Sequence, residues 1–187
     1  MLRSVAVLVW LTATAHAGAA APPVQPMPRR LPPPPPPPPP TPPAEVGALA
    51  KQVEGSYACK GVQFVGNGSS TPLEAKLSVK LALGGAWLMS TLVETKAGGI
   101  SFDDYRTYDD VAKQWTRVQL ASTTGHVIWT SLGDKSGTWT WEGTATSPQG
   151  TQQVRDYEQP GDHQLKLWGE ALLGGSWQKL YEVTCKR

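Results

Sequence analysis

Between Leu73 and Leu83 every second residue is apolar. Leu73, Ala75, Leu77, Val79, Leu81 and Leu83 fall on one side of an extended chain, and Glu74, Lys76, Ser78 and Lys80 on the other. Successive side chains of a strand point to opposite faces, so the pattern describes a long antiparallel strand with one buried and one solvated face. Residues 138–146 repeat it, with Trp139, Trp141, Gly143 and Ala145 opposed to Thr138, Thr140, Glu142 and Thr144. Further strands are expected near 56–65, 86–95, 100–107, 114–122, 126–132, 151–158, 163–170 and 176–185. Short turn-forming stretches such as Gly84-Gly85, Asp109-Asp110 and Pro160-Gly161-Asp162 separate them. About ten strands joined by short links, with no long crossover, predict an all-β fold: a single closed antiparallel up-and-down β-barrel. The one helical candidate, Ala44 to Glu54, carries Val46, Leu49 and Val53 as a single apolar stripe that would cap one end of the barrel.

What precedes residue 44 cannot join such a sheet. Fifteen of the 18 prolines lie between Pro22 and Pro43, nine of them consecutive from Pro32 to Pro40. Proline has no N–H to donate, and a run of it is held near polyproline II geometry. Residues 18–43 therefore read as a proline-rich linker, a stiff spacer through which an envelope partner could be reached. Before it, Arg3, an apolar run from Val5 to Ala15 and the small-x-small Ala15-His16-Ala17 form the three parts of a secretory signal peptide spanning residues 1–17. After its cleavage no membrane span is expected, because the apolar run is too short to cross a bilayer. The expected location is periplasmic or extracellular.

The remaining segment, 44–187, has the size of one domain. It holds 14 basic and all 15 acidic residues, a balance of −1 that offers nucleic acid no attraction. Cys59 falls near the start of the first strand and Cys185 near the end of the last. If those two strands close the barrel antiparallel, the thiols meet. An exported chain with two cysteines then predicts one disulfide. Two cysteines without further ligands at zinc spacing make a poor metal site.

The opening Gly55-Ser56-Tyr57-Ala58-Cys59-Lys60-Gly61 resembles the G-x-W start of lipocalin-like (calycin) barrels and the G-x-W-x-G-x-G of the nitrobindin-like branch. Tyr57 stands where Trp is expected and Cys59 where the middle Gly is expected. With Gly84-Gly85-Ala86-Trp87, Tyr108-Asp109, Gln114-Trp115, Ser122 to Gly125, Trp177 and the terminal Tyr181 to Arg187, the order of features over most of residues 45–187 is similar to the DUF1579 family of bacterial barrel domains. The resemblance implies a ten-stranded barrel with an interior able to hold a small ligand, and no settled activity. The nitrobindin-like branch binds haem through a histidine, for which the domain offers only His126 and His163. His126 follows Gly125 at a turn, whereas His163 shares parity with Leu165 and Leu167 and would begin its strand pointing inward. A histidine beside a turn is more often solvated than an iron ligand, and Gly55 to Gly61 departs from the branch's motif at two positions, so no cofactor is expected.

A ligand site is sought among polar and aromatic residues that share a face with apolar neighbours. Arg106 and Tyr108 alternate with Phe102 and Asp104, Arg155 and Tyr157 with Gln153, and Glu170 lies with Trp168. An Arg and a Tyr facing a cavity would hold a ligand carboxylate, whereas an outer-face ion pair of either arginine is the plain structural alternative. The expected ligand-binding set is Trp87, Arg106, Tyr108, Trp129, Arg155, Tyr157 and Trp168, and the expected partner is a small hydrophobic or amphipathic molecule; the alternative is a barrel whose core the tryptophans fill, acting as an interaction module of the cell envelope. No catalytic motif such as G-x-S-x-G or H-E-x-x-H is present, so the domain reads as a binding module and not an enzyme.

Overall fold

The computed structural model describes residues 41–65 and 68–187. The expected signal peptide and nearly all of the proline-rich linker lie outside the described residues. One helix, α1 (Ala44–Val53), precedes strands β1 (Gly55–Phe64), β2 (Ser70–Ala82), β3 (Trp87–Glu94), β4 (Ser101–Asp109), β5 (Gln114–Ala121), β6 (His126–Ser131), β7 (Asp134–Lys135), β8 (Thr138–Ser147), β9 (Gly150–Gly161), β10 (Gln164–Leu173) and β11 (Ser176–Lys186). Neighbouring strands pair antiparallel, β6 pairs with β8, and β1 pairs with β11, so ten strands close into an up-and-down barrel. The two-residue β7 pairs only with the start of β8.

Two boundaries differ from the sequence expectation for physical reasons. β2 begins at Ser70 and takes in Pro72, because its ladder with β3 starts only at Ala75, so β1 is Pro72's one strand neighbour. Such an edge-like position tolerates a residue without an N–H. At its other end the alternation overreaches. Leu83 leaves the strand with φ of +48° for a single 3-10 turn and is 73% exposed, and Leu81 before it is already 40% exposed, so the last two leucines of the run are not core.

α1 closes one end of the barrel. Val46, Leu49, Ala50 and Val53 are buried, and the apolar stripe packs toward β2, β3 and β4. Tyr57 Oη donates to the Val53 carbonyl at 2.8 Å, and Arg187 donates to Tyr57 Oη and, at 3.1 Å, to the Gln52 carbonyl. The end of the last strand thereby holds the helix down. Beside this clamp Cys59 and Cys185 stand opposite each other in the β1–β11 ladder and form the expected disulfide. Above the helix the lumen is filled by edge-to-face Tyr108–Trp115 and Trp115–Trp139 pairs, at 5.5 and 5.0 Å, and a stacked Trp139–Trp141 pair. That end of the barrel is solid.

Candidate functional site

The period-two rule assigns one parity of each strand to the lumen, and on β4, β5 and β9 that parity carries a layer of charge. β4 contributes Asp104 and Arg106, β5 contributes Arg117, and β9, across the lumen, contributes Asp156 and Glu158. All five are at most 4% exposed. Arg106 donates from Nε to Asp104 at 3.2 Å, from Nη1 to Glu158 at 2.6 Å and from Nη2 to Ser90 Oγ at 3.1 Å. Arg117 donates from Nε to the other oxygen of Asp104 and from Nη1 to Asp156 at 2.7 Å, with Glu158 Oε1 at 3.5 Å. Both guanidiniums also lie over the Trp141 ring, and Arg117 over Trp129 at 5.2 Å. The cluster is a floor of three carboxylates and two guanidiniums resting on the aromatic layer.

Tyr181 of β11 donates its hydroxyl to Asp156 Oδ1. The approach depends on Gly169 in β10, because a Cβ there would meet the Tyr181 ring and Asp156 Oδ1 inside contact distance. Burial raises the Asp156 carboxyl above its ordinary range, against the opposing pull of Arg117 and Tyr181. Burial and the neighbouring Asp156 also raise the Tyr181 phenol well above its usual range, so it remains a donor. Burial opposes the charge on Arg117, but the fields of Asp104, Asp156 and Glu158 outweigh it and hold its pKa well above the ordinary value.

The sign for Asp156 follows from linkage. A group whose pKa is higher in the folded chain contributes stability that is complete below its unfolded pKa and lost as pH rises through its folded pKa. Asp156→Asn keeps the shape but cannot titrate, so the variant is expected to show a shallower loss of stability as pH rises from about 4 toward neutrality. Urea midpoints across that range check this, and an unchanged slope would assign the effect to another group.

Above the floor, toward the end away from α1, lies a cavity of about 320 Å³. This is at the lower end of the size of small-molecule sites. Its walls are mostly apolar and include Leu73, Leu77, Leu92, Phe102, Val127 and Leu167; its polar lining includes Gln63, Glu94 and Gln119 beside the five floor residues. The interior thus passes from a solid aromatic end, through a charged layer, to an apolar chamber.

The structure divides the sequence-predicted residues. Arg106 and Trp129 line this cavity. Tyr108 faces inward but packs against Trp115 at the solid end. Trp87 has the parity opposite to the buried Leu88, and so faces outward. Arg155 borders both the cavity and an outer groove, but it belongs to the outward parity of β9 and its charge is engaged in the groove. There its Nε donates to Glu142 at 3.0 Å and its guanidinium lies 4.1 Å over Trp177. Tyr157 stacks on Trp168 at 5.0 Å on the same outer wall, its hydroxyl donating to Glu170 at 3.2 Å. The inward pair expected from Arg155 and Tyr157 is therefore corrected to Asp156 and Glu158. The reason is that β9 carries polar residues on both faces, so its alternation does not say which one the barrel encloses. Arg117, Asp156, Glu158 and Tyr181 escaped the sequence reading. For Arg117 a signal exists, since it shares parity with Trp115.

His126 is exposed on the outward parity of β6, and His163 is exposed in the β9–β10 turn with φ of +54°. Neither reaches the cavity. Among the described residues no cluster of His, Cys, Asp or Glu is placed to hold a metal ion, and no helix is long and apolar enough to cross a membrane.

No family model matches the chain, and no curated protein matches it. Among solved structures, the chain is similar to the crystal structure of Rv2717c from M. tuberculosis, with a TM-score of 0.59 at 14% identity over 79% of this chain and 99% of that one. At that identity the likeness concerns the barrel fold alone.

Proposed function

We propose that this domain is a lipocalin-like carrier or sensor, related to the DUF1579 barrels, that binds a small amphipathic molecule inside the barrel and performs no catalysis of its own. The observation that carries the reading is the juxtaposition of an apolar chamber with a fully buried, hydrogen-bonded charged floor. Buried ion pairs rarely stabilise a fold more than apolar residues of similar volume would, so five charged groups at the centre of a barrel are poorly explained by stability alone. A chamber with convergent polar groups at one end orients a ligand, apolar body outward and polar head on the floor. The disulfide agrees with a periplasmic or extracellular setting.

A larger side chain in the chamber tests this. Ala145 faces inward from β8 and lines the cavity. Ala145→Phe is expected to reduce binding of the neutral fluorophore N-phenyl-1-naphthylamine about tenfold or more, while circular dichroism and the ion-paired floor stay unchanged. Equal binding by both proteins would place the dye elsewhere and sink the interior site.

A second reading has one observation behind it. Met89, Tyr105, Val118 and Ile128 stand in register across β3 to β6 on the outer wall, with Ile128 55% exposed. This apolar row suits an envelope interaction module, with the proline-rich segment giving reach.

A further inference from the structure

The charge count of the cavity points to the chemical class of its occupant, an inference that rests on the interior-ligand reading above. The floor sets Asp104, Asp156 and Glu158 against Arg106 and Arg117, so one carboxylate is left without a matching cation. A fourth carboxylate, Glu94, lines the same cavity with its side chain 5% exposed. Its nearest cation is Lys96, at 2.9 Å, whose side chain is 58% exposed and therefore screened by water. Arg155 and Glu170, which also border the cavity, carry opposite charges and cancel in the count. Within the lumen the carboxylates outnumber the guanidiniums by two, and all six groups line the same cavity.

Hydrogen bonding alone does not choose between an anionic and a cationic head. Arg106 donates to Asp104, Glu158 and Ser90, and Arg117 to Asp104 and Asp156, bonds that use three and two of their five N–H donors. A ligand carboxylate would add to the negative surplus. Carboxylate oxygens also keep acceptor capacity after one bond each. Asp156 accepts from Tyr181 on one oxygen and from Arg117 on the other, which leaves a lone-pair site on each. A donor-rich cation satisfies those sites and the charge together.

We propose that the interior site selects an amphiphile with a cationic nitrogen head, an alkylammonium, whose charge completes the floor formed by Asp104, Asp156, Glu158, Arg106 and Arg117 and whose chain lies against Leu73, Leu77, Leu92 and Leu167. The arrangement inverts the preference that an inward arginine suggests by itself: carboxylates, not guanidiniums, are in excess where the head would rest.

The experiment is competition against bound N-phenyl-1-naphthylamine with three eight-carbon probes at neutral pH: octylammonium, 1-octanol and octanoate. On the oxidised protein, octylammonium is expected to displace the dye at a concentration about tenfold or more below that of octanoate, with octanol between them. Glu94→Gln, away from the ion-paired floor and so less exposed to misfolding than a floor variant, is expected to shrink the preference for ammonium over octanol. Octanoate competing as well as octylammonium, or an unchanged preference in Glu94→Gln, would overturn the cationic head while leaving the interior site standing. Failure of the dye and all three probes to bind would remove the interior site itself.

Discussion

Arg117→Met is expected to remove about 3–5 kcal/mol of folding stability, an effect comparable to much of what holds a domain of this size together. Arg117 is 4% exposed and joins Asp104, Asp156 and Glu158, so its loss leaves three buried carboxylates with Arg106 as their buried cationic partner among the described residues. The cost comes more from the carboxylates left unpaired than from the attraction removed. The outer pair supplies the control. Arg155 and Glu142 are 34% and 63% exposed in their side chains, and a pair so accessible to water contributes about 0–1 kcal/mol. Urea unfolding of Arg117→Met beside Arg155→Met separates the two cases. Equal midpoints would mean that water reaches the charged layer and that it is no sealed floor.

The second large effect belongs to the seam. The disulfide joins residues 126 apart in sequence, and the chain-entropy model assigns such a loop roughly 4–5 kcal/mol, an upper figure. It also links the first strand to the last, where the barrel closes. The double variant Cys59→Ala with Cys185→Ala is expected to lose several kcal/mol against the oxidised protein in urea titrations, and to be insensitive to a reductant that lowers the midpoint of the parent. The β1–β11 ladder, which runs from Ala58–Lys186 to Gln63–Tyr181, is expected to persist in the folded variant. A shift below about 1 kcal/mol would show that the unfolded chain is already constrained without the bridge.

The strands were legible because each is half-buried and announces itself locally. Leu73 to Leu81 and Trp139 to Ala145 need only a two-residue period to be recognised, and Gly84-Gly85 and Pro160-Gly161 mark where the chain turns. Placing Cys59 beside Cys185 required one further step, the closure of a meander onto its first strand, and the same closure brings α1 and Arg187 together. The candidate site was legible only in fragments. Arg106 with Asp104 could be placed inside from the neighbouring Phe102, whereas Arg155 and Tyr157 were grouped on the wrong side of their strand.

From the sequence alone residues 44–187 are determined to be an antiparallel meander with a helical stopper and a covalent seam, because period, turn chemistry and two cysteines act over short stretches or in the first and last strands. Which charges would be enclosed was decided by the tertiary structure. Asp156 and Glu158 meet Arg117 and Arg106 from 39 and 52 residues away. Their partnership depends on the curvature of the closed sheet and on the stagger of ten strands across a lumen. On a strand such as β9, polar on both faces, the decision falls to the burial of a whole ring of neighbours, and no local pattern carries it.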